Sequence, residues 1–267
     1  MTSIVKMKQP YKVLIDIWGV ITSWTFRTDL KTYIKENLKN FLSQHWTQQL
    51  ISDFVHRLRD MNAKDREIHS DLPQIEESTD DNKDTVIESV VKNIEWRKKH
   101  KLNTFDNDIQ ELYQTIWLDG YRNKRLKVHT FVDVMPSFQR WTDEELTIKI
   151  YTFASGPSQN QKLFLNHTTC GDVSWYVVGG INSYHKYKHD SNRFKQVFIA
   201  LQESPQNILY ITDSPNKARA AIASGMRAIV VLRDGNKRYS DQELDGIQTV
   251  TSLQELDFIP DYNPNCC

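Results

Sequence analysis

Residues 13–20, Val13-Leu14-Ile15-Asp16-Ile17-Trp18-Gly19-Val20, spell VLIDIWGV. A short apolar run from Tyr11 to Ile15 ends abruptly on a carboxylate, with a tryptophan and a glycine just beyond it. A strand buried on both faces reads as a continuous apolar run rather than an alternating one. Two later segments share this grammar: Ile148 to Ala154 (IKIYTFA) ends on Ser155-Gly156, and Asn207 to Ile211 (NILYI) ends on Thr212-Asp213. A fourth run, Ala228 to Leu232, is entered from Gly225 and left through Asp234-Gly235-Asn236. Helical patterns lie between them, such as Asn192 to Gln202 and Asn216 to Ser224. Strand and helix in alternation predict an α/β fold, a Rossmann-like doubly wound parallel sheet. Ligands bind outside the carboxyl ends of such strands, so Asp16, Ser155 and Asp213 are expected at one edge.

Residues 25–126 carry a different pattern. Leu30, Tyr33, Ile34, Leu38, Phe41 and Leu42 recur at helical spacing, as do Leu50, Phe54, Val55 and Leu58. Asp71 to Asp84 is rich in polar and acidic residues and reads as a mobile loop. Helix resumes over Val86 to Trp96 and Ile109 to Tyr121. The organisation expected is a core of residues 1–24 and 127–267 with a helical cap, 25–126, inserted after the first strand and hinged at its ends.

Composition narrows the function. Lysine plus arginine equals aspartate plus glutamate, 34 against 34, so no global field holds the chain on nucleic acid or an anionic membrane. The basic run Arg97-Lys98-Lys99-His100-Lys101 reads as the solvated end of a helix rather than a phosphate-backbone contact. No stretch approaches the roughly 18 apolar residues of a membrane span, and no apolar segment suited to export opens the chain. Cys170, Cys266 and Cys267 have neither metal nor disulfide spacing, which suits a reducing compartment; the terminal pair reads as a frayed tail. The expectation is a cytoplasmic or nuclear monomer.

A further set of expectations comes from a resemblance. Asp16-Ile17-Trp18-Gly19, Ser155-Gly156, Lys186 and Asp213 stand where haloacid-dehalogenase-superfamily hydrolases carry their four motifs. More narrowly, the chain resembles the enolase-phosphatase (acireductone synthase) family of methionine salvage. The similar stretches are FRTDLKTYIKENLKNFLSQHW (26–46), IWLDGY (116–121), FVDVMP (131–136), ASGPSQNQKLF (154–164), the His185-Lys186 pair and NILYITDSPNKARAA (207–221). The resemblance implies that Asp16 attacks phosphorus to form an aspartyl-phosphate, on a substrate that is a phosphorylated diketo methylthiopentane. It implies magnesium held by Asp16, the backbone carbonyl of Trp18 and Asp213. Ser155 and Gly156 would bind phosphate oxygens, and Lys186 would bind phosphate and neutralise charge on the transferring group. Taken singly, Asp16, Ser155 and Asp213 are also ordinary cap and turn residues.

The departures from the family pattern matter as much. Trp18 stands where the family has the glutamate that protonates the leaving oxygen and then activates water; an indole does neither. Lys217 and Lys188 stand where the family has acids, and Val20 and Ile21 where it has threonines. Ammonium groups near a divalent cation weaken it, which puts magnesium affinity in doubt. A pseudoenzyme that binds a phospho-ligand or protein partner without turnover is therefore the main alternative. A third reading takes Trp18 as a sign of changed, metal-free chemistry, since some dehalogenases of the superfamily carry an aromatic residue there; Asp213 speaks against it.

Overall fold

A computed structural model describes residues 4–79, 81–155, 158–183 and 191–260, the side chains of residues 191–193 excepted. The chain divides into two compact units, Met1–Arg27 with Lys127–Cys267, and Thr28–Leu126.

In the first unit, β2 (Lys12–Asp16), β3 (Lys149–Ala154), β4 (Val177–Asn182), β5 (Ile208–Thr212), β6 (Arg227–Val231) and β7 (Gln248–Val250) form one sheet. Its order is β4-β3-β2-β5-β6-β7, and every pairing is parallel. A second, two-stranded sheet pairs β1 (Val5–Lys8) with β8 (Leu256–Ile259), also in parallel. Helices α5 (Val134–Thr142), α6 (Ser158–Asn166), α7 (Ser191–Leu201), α8 (Pro215–Ala223) and the short α9 (Asp241–Leu244) complete the unit.

The sheet is buried on both faces because its side chains divide by parity. Val13, Ile15, Leu209, Ile211, Ile229 and Val231 join one apolar cluster with Val134, Phe138 and Trp141 of α5. Leu14, Ile208, Tyr210, Ala228 and Val230 join another with Phe194 and Val197 of α7 and Ala218 of α8. Successive residues of a strand point to opposite faces, so an apolar residue at every position is what two covered faces require. The chain leaves the central β2 for β3 on one side and later for β5 on the other, so the switch point of the sheet falls at the carboxyl end of β2.

The second unit consists of the greater part of α1 (Phe26–Gln44), then α2 (Gln49–Arg66), α3 (Lys83–His100) and α4 (Asp106–Arg122), around a core of Ile34, Leu38, Leu42, Ile51, Leu58, Val90, Ile94 and Ile116. Three expectations fail here. Leu50, read as a core position, is exposed. The polar segment before α3 is anchored rather than loose: Leu72 and Ile75 are buried, and the Pro73 carbonyl accepts from Asn62 and Asn93. Arg97 is not solvated. Its side chain is 1% exposed, ion-paired to Asp65 at 2.7 Å, and it also donates to Asn93 and Thr104. A buried guanidinium is tolerable only with such partners.

Candidate active site

The carboxyl ends of β2, β3 and β5 define the site. Register sets Ile15 beside Ile211 and Asp16 beside Phe153, which brings Asp16, Ser155 and the Thr212-Asp213 pair to one edge. Asp16 has the parity of Leu14 and faces the same side of the sheet as Tyr210 and Thr212. It is nearly fully buried, and its carboxylate is far from bare. The Tyr210 hydroxyl donates to Oδ1 at 2.9 Å, Thr212 Oγ1 donates to Oδ2 at 2.6 Å, and Lys217 Nζ lies 2.8 Å from the same Oδ2. Burying an anion is costly without compensation, and these three donors supply it.

After β2 the backbone turns tightly. Ile21 and Thr22 both donate N–H groups to the Ile17 carbonyl, and the Gly19 N–H donates to Thr22 O at 2.7 Å. Gly19 has φ +80°, and a Cβ there would run into the Asp213 carboxylate and the Trp24 indole nitrogen. Only glycine satisfies both demands. The loop after β6 braces this turn: Asn236 Nδ2 donates to Gly19 O at 2.7 Å and Arg233 donates to Val20 O at 3.1 Å. Arg233 is itself held by Asp133 in a buried ion pair.

Trp18 belongs to an aromatic cluster. Its ring stacks on Trp24 with centroids 6.1 Å apart and meets Phe164 edge-on at 5.5 Å. The Arg27 guanidinium lies 5.4 Å from both indole centroids, within cation–π range. Trp24 Nε1 in turn donates to Asp213 Oδ2 at 2.5 Å. Burial raises the pKa of Asp213 above the ordinary aspartate value, and the charge of Asp16 adds to that; the Trp24 hydrogen bond and Lys217 act the other way. Burial, and then the Asp213 charge, raise the Tyr239 phenol.

Asp16, Trp18, Trp24, Arg27, Asp213 and Lys217 line a cleft of about 660 Å³ within the first unit, together with Ser155, Ser183, Ser214, Lys237 and Tyr239. Of the residues singled out in the sequence, Asp16, Trp18, Ser155, Asp213 and Lys217 meet there. Gly156, Lys186 and Lys188 lie outside the described residues. Sequence pattern alone does not point to Tyr210, Thr212, Trp24, Arg27, Lys237 and Tyr239. Two of these carry a usable signal, since Tyr210 and Thr212 share the parity that points Asp16 toward them. Arg27 and Lys237 are cations like many others, and nothing in the pattern marks them.

The donors fit magnesium poorly. A divalent ion bridging Asp16 and Asp213 needs carboxylate oxygens free to coordinate it. Asp16 Oδ2 instead carries an ammonium and a hydroxyl, and Asp213 Oδ2 carries the indole N–H. No group of three or more His, Cys, Asp or Glu suited to a metal occurs among the described residues.

An all-parallel sheet with a buried aspartate at the switch point, and a helical unit inserted after the strand that bears it, is the architecture of a known hydrolase class. The sequence model of the haloacid dehalogenase-like hydrolases matches residues 13–225, and the chain belongs to that family. Within it, the chain is similar to enolase-phosphatase E1 of Xenopus tropicalis, 30% identical over 92% of this chain and 94% of that one. It is similar also to enolase-phosphatase E1 of Danio rerio, 28% identical over 92% and 94%. The UTR4 protein of Saccharomyces cerevisiae shares the fold, with a TM-score of 0.67 at 16% identity over 92% of this chain and all of that one. No helix among the described residues is long and apolar enough to cross a membrane.

Proposed function

We propose that the chain is a phosphatase of the enolase-phosphatase kind that acts slowly on a small phosphorylated diketo metabolite, a methylthiopentane derivative of methionine salvage, in the cytoplasm. The observation that carries this reading is the meeting of Asp16, Ser155 and Asp213 in one cleft with three cations, Arg27, Lys217 and Lys237. Two carboxylates against three cations leave the described lining positive by one formal charge, with Lys237 also paired to Glu243 at 3.0 Å just outside it, and the cationic side of the cleft at Arg27 and Lys217 suits a phosphate ester. An Asp16 oxygen attacks phosphorus, an O–P bond forms to the aspartate, and the ester O–P bond breaks. The leaving oxygen takes its proton from water, because position 18 holds an indole. Water then cleaves the acyl phosphate, releasing inorganic phosphate and restoring Asp16. Loss of a positioned acid and base lowers such rates by about 10²–10⁴-fold.

The 2.8 Å contact of Lys217 with Asp16 favours a second reading, a phospho-ligand binder without turnover. It holds the candidate nucleophile in an ion pair and lowers its reactivity. A panel of phosphate esters that includes a diketo phosphate and an activated aryl phosphate separates the two. Phosphate release above the uncatalysed rate, lost in Asp16→Asn, supports the phosphatase; saturable binding with no release supports the binder; neither binding nor release rejects both.

A further inference from the structure

Lys217 occupies the third position of α8, where Ser214 caps the helix and accepts from the Lys217 N–H. A cation there opposes the helix dipole, whose positive end lies in the first turn. Aspartate or glutamate suits this place, so a lysine needs a strong partner. Asp16 is that partner: Nζ lies 2.8 Å from Oδ2, with the carboxylate 4% exposed and the lysine 31% exposed. The same charge acts on Asp213, whose Oδ2 is already taken by Trp24.

The formal charges show what this arrangement replaces. Asp16, Asp213 and Lys217 together carry one negative charge. A glutamate at 217 with the same two aspartates and one divalent ion would also carry one. We infer that Lys217 is a tethered cation standing in the place of a divalent ion beside Asp16, so that the cleft binds a phosphate ester without metal. The ammonium screens the aspartate from an incoming anion, as a bound ion would, but it contributes one charge and cannot coordinate a leaving oxygen as a Lewis acid. Among the described residues, Arg27 and Lys237 add further positive charge to the lining, Lys237 while also paired to Glu243 at 3.0 Å.

This inference rests on the cleft being a phosphate site, and its test needs no turnover, so the two ideas fail separately. Magnesium is titrated by calorimetry into the wild type, Lys217→Glu and Lys217→Met, with folding checked by circular dichroism. Inorganic phosphate is titrated into the wild type and Lys217→Met in the presence of a chelator. The wild type is expected to show no saturable magnesium binding below about 1 mM and to bind phosphate in the chelator. Lys217→Met is expected to lose that phosphate binding by about tenfold or more, and Lys217→Glu to gain magnesium affinity by a similar factor. Saturable sub-millimolar magnesium binding by the wild type overturns the inference, as does phosphate binding that requires magnesium. Should Lys217→Glu fail to fold, the wild-type titrations and Lys217→Met still decide it.

Discussion

The Trp24 indole N–H donates to the Asp213 carboxylate at 2.5 Å, tying the turn that follows the first core strand to the end of β5. The contact fixes one oxygen of a buried acid and leaves the Trp24 ring stacked on Trp18. Asp213 thereby acts on loop geometry as well as on charge. The cost of keeping that acid ionised in a buried place is measurable.

The sign of that cost follows from the raised pKa of Asp213, which burial causes first. The folded state keeps its proton over a window that opens at the ordinary aspartate value of about 3.9 and closes at the raised one. Stability from this group is fully present below the window and is lost as pH rises through it. Above the window the buried anion is therefore a liability. Asp213→Asn is expected to melt higher than the wild type at pH 7, with the difference shrinking toward zero as the pH approaches 4. An equal difference at both pH values would show that packing, not ionisation, sets it.

Gly19 gives a second prediction. With φ +80° and a carboxylate and an indole nitrogen where a Cβ would sit, Gly19→Ala must shift either the turn or Asp213. Strain of this kind costs about 1–3 kcal/mol. Urea unfolding should show a loss at least that large, accompanied by a change in tryptophan fluorescence from Trp18 and Trp24. Unchanged stability would mean that the turn is looser than its hydrogen bonds imply.

In the helical unit, the Arg97–Asp65 pair predicts an asymmetric response. Removing one partner leaves a charge buried and unpaired, at a cost of roughly 3–5 kcal/mol. Arg97→Met should lose about that much, while Arg97→Met with Asp65→Leu should recover most of it. Chemical denaturation of the full chain reads both. Equal losses in the single and double variants would mean that the pair is not the unit of stability.

How far this molecule is legible in its sequence depends on which neighbours decide each position. The doubly wound sheet is legible because Val13, Leu14 and Ile15 alternate between two covered faces, and a short unbroken apolar run ending on a polar residue suits a buried parallel strand. The strand Val177–Asn182 escapes notice because Gly179-Gly180 depresses its strand signal. Gly180 is there because a Cβ would run into Gln161 of α6 and Thr152 of β3, a contact between segments that no local window contains. Arg97 misleads for the same reason, since its buried ion pair is with Asp65, distant in sequence, and nothing local marks it off from Lys98 and Lys99. Asp16 and Asp213 stand out as acids at strand ends. That Lys217 is close enough to pair with Asp16 emerges only when β2 and β5 lie side by side.

Trp18 carries the last prediction. On the proposed phosphatase reading, the phosphoenzyme cycle needs a proton delivered to the leaving oxygen and another taken from the attacking water. An activated aryl phosphate has a leaving group good enough to dispense with the first; nothing relieves the second. Residual activity is therefore expected to favour activated substrates and to stall at the aspartyl-phosphate, visible as a burst of product matched to the enzyme concentration. Trp18→Glu should raise turnover, by up to about 10²-fold if proton transfer is what is missing, and more in combination with Lys217→Glu when magnesium is supplied. The indole also packs against Trp24, Phe164 and Arg27, so its bulk is a competing cause. Trp18→Ala separates them, because it opens the cleft without supplying a proton. A rate gain in alanine equal to that in glutamate would establish Trp18 as a steric plug, and the missing-acid account would have to be dropped.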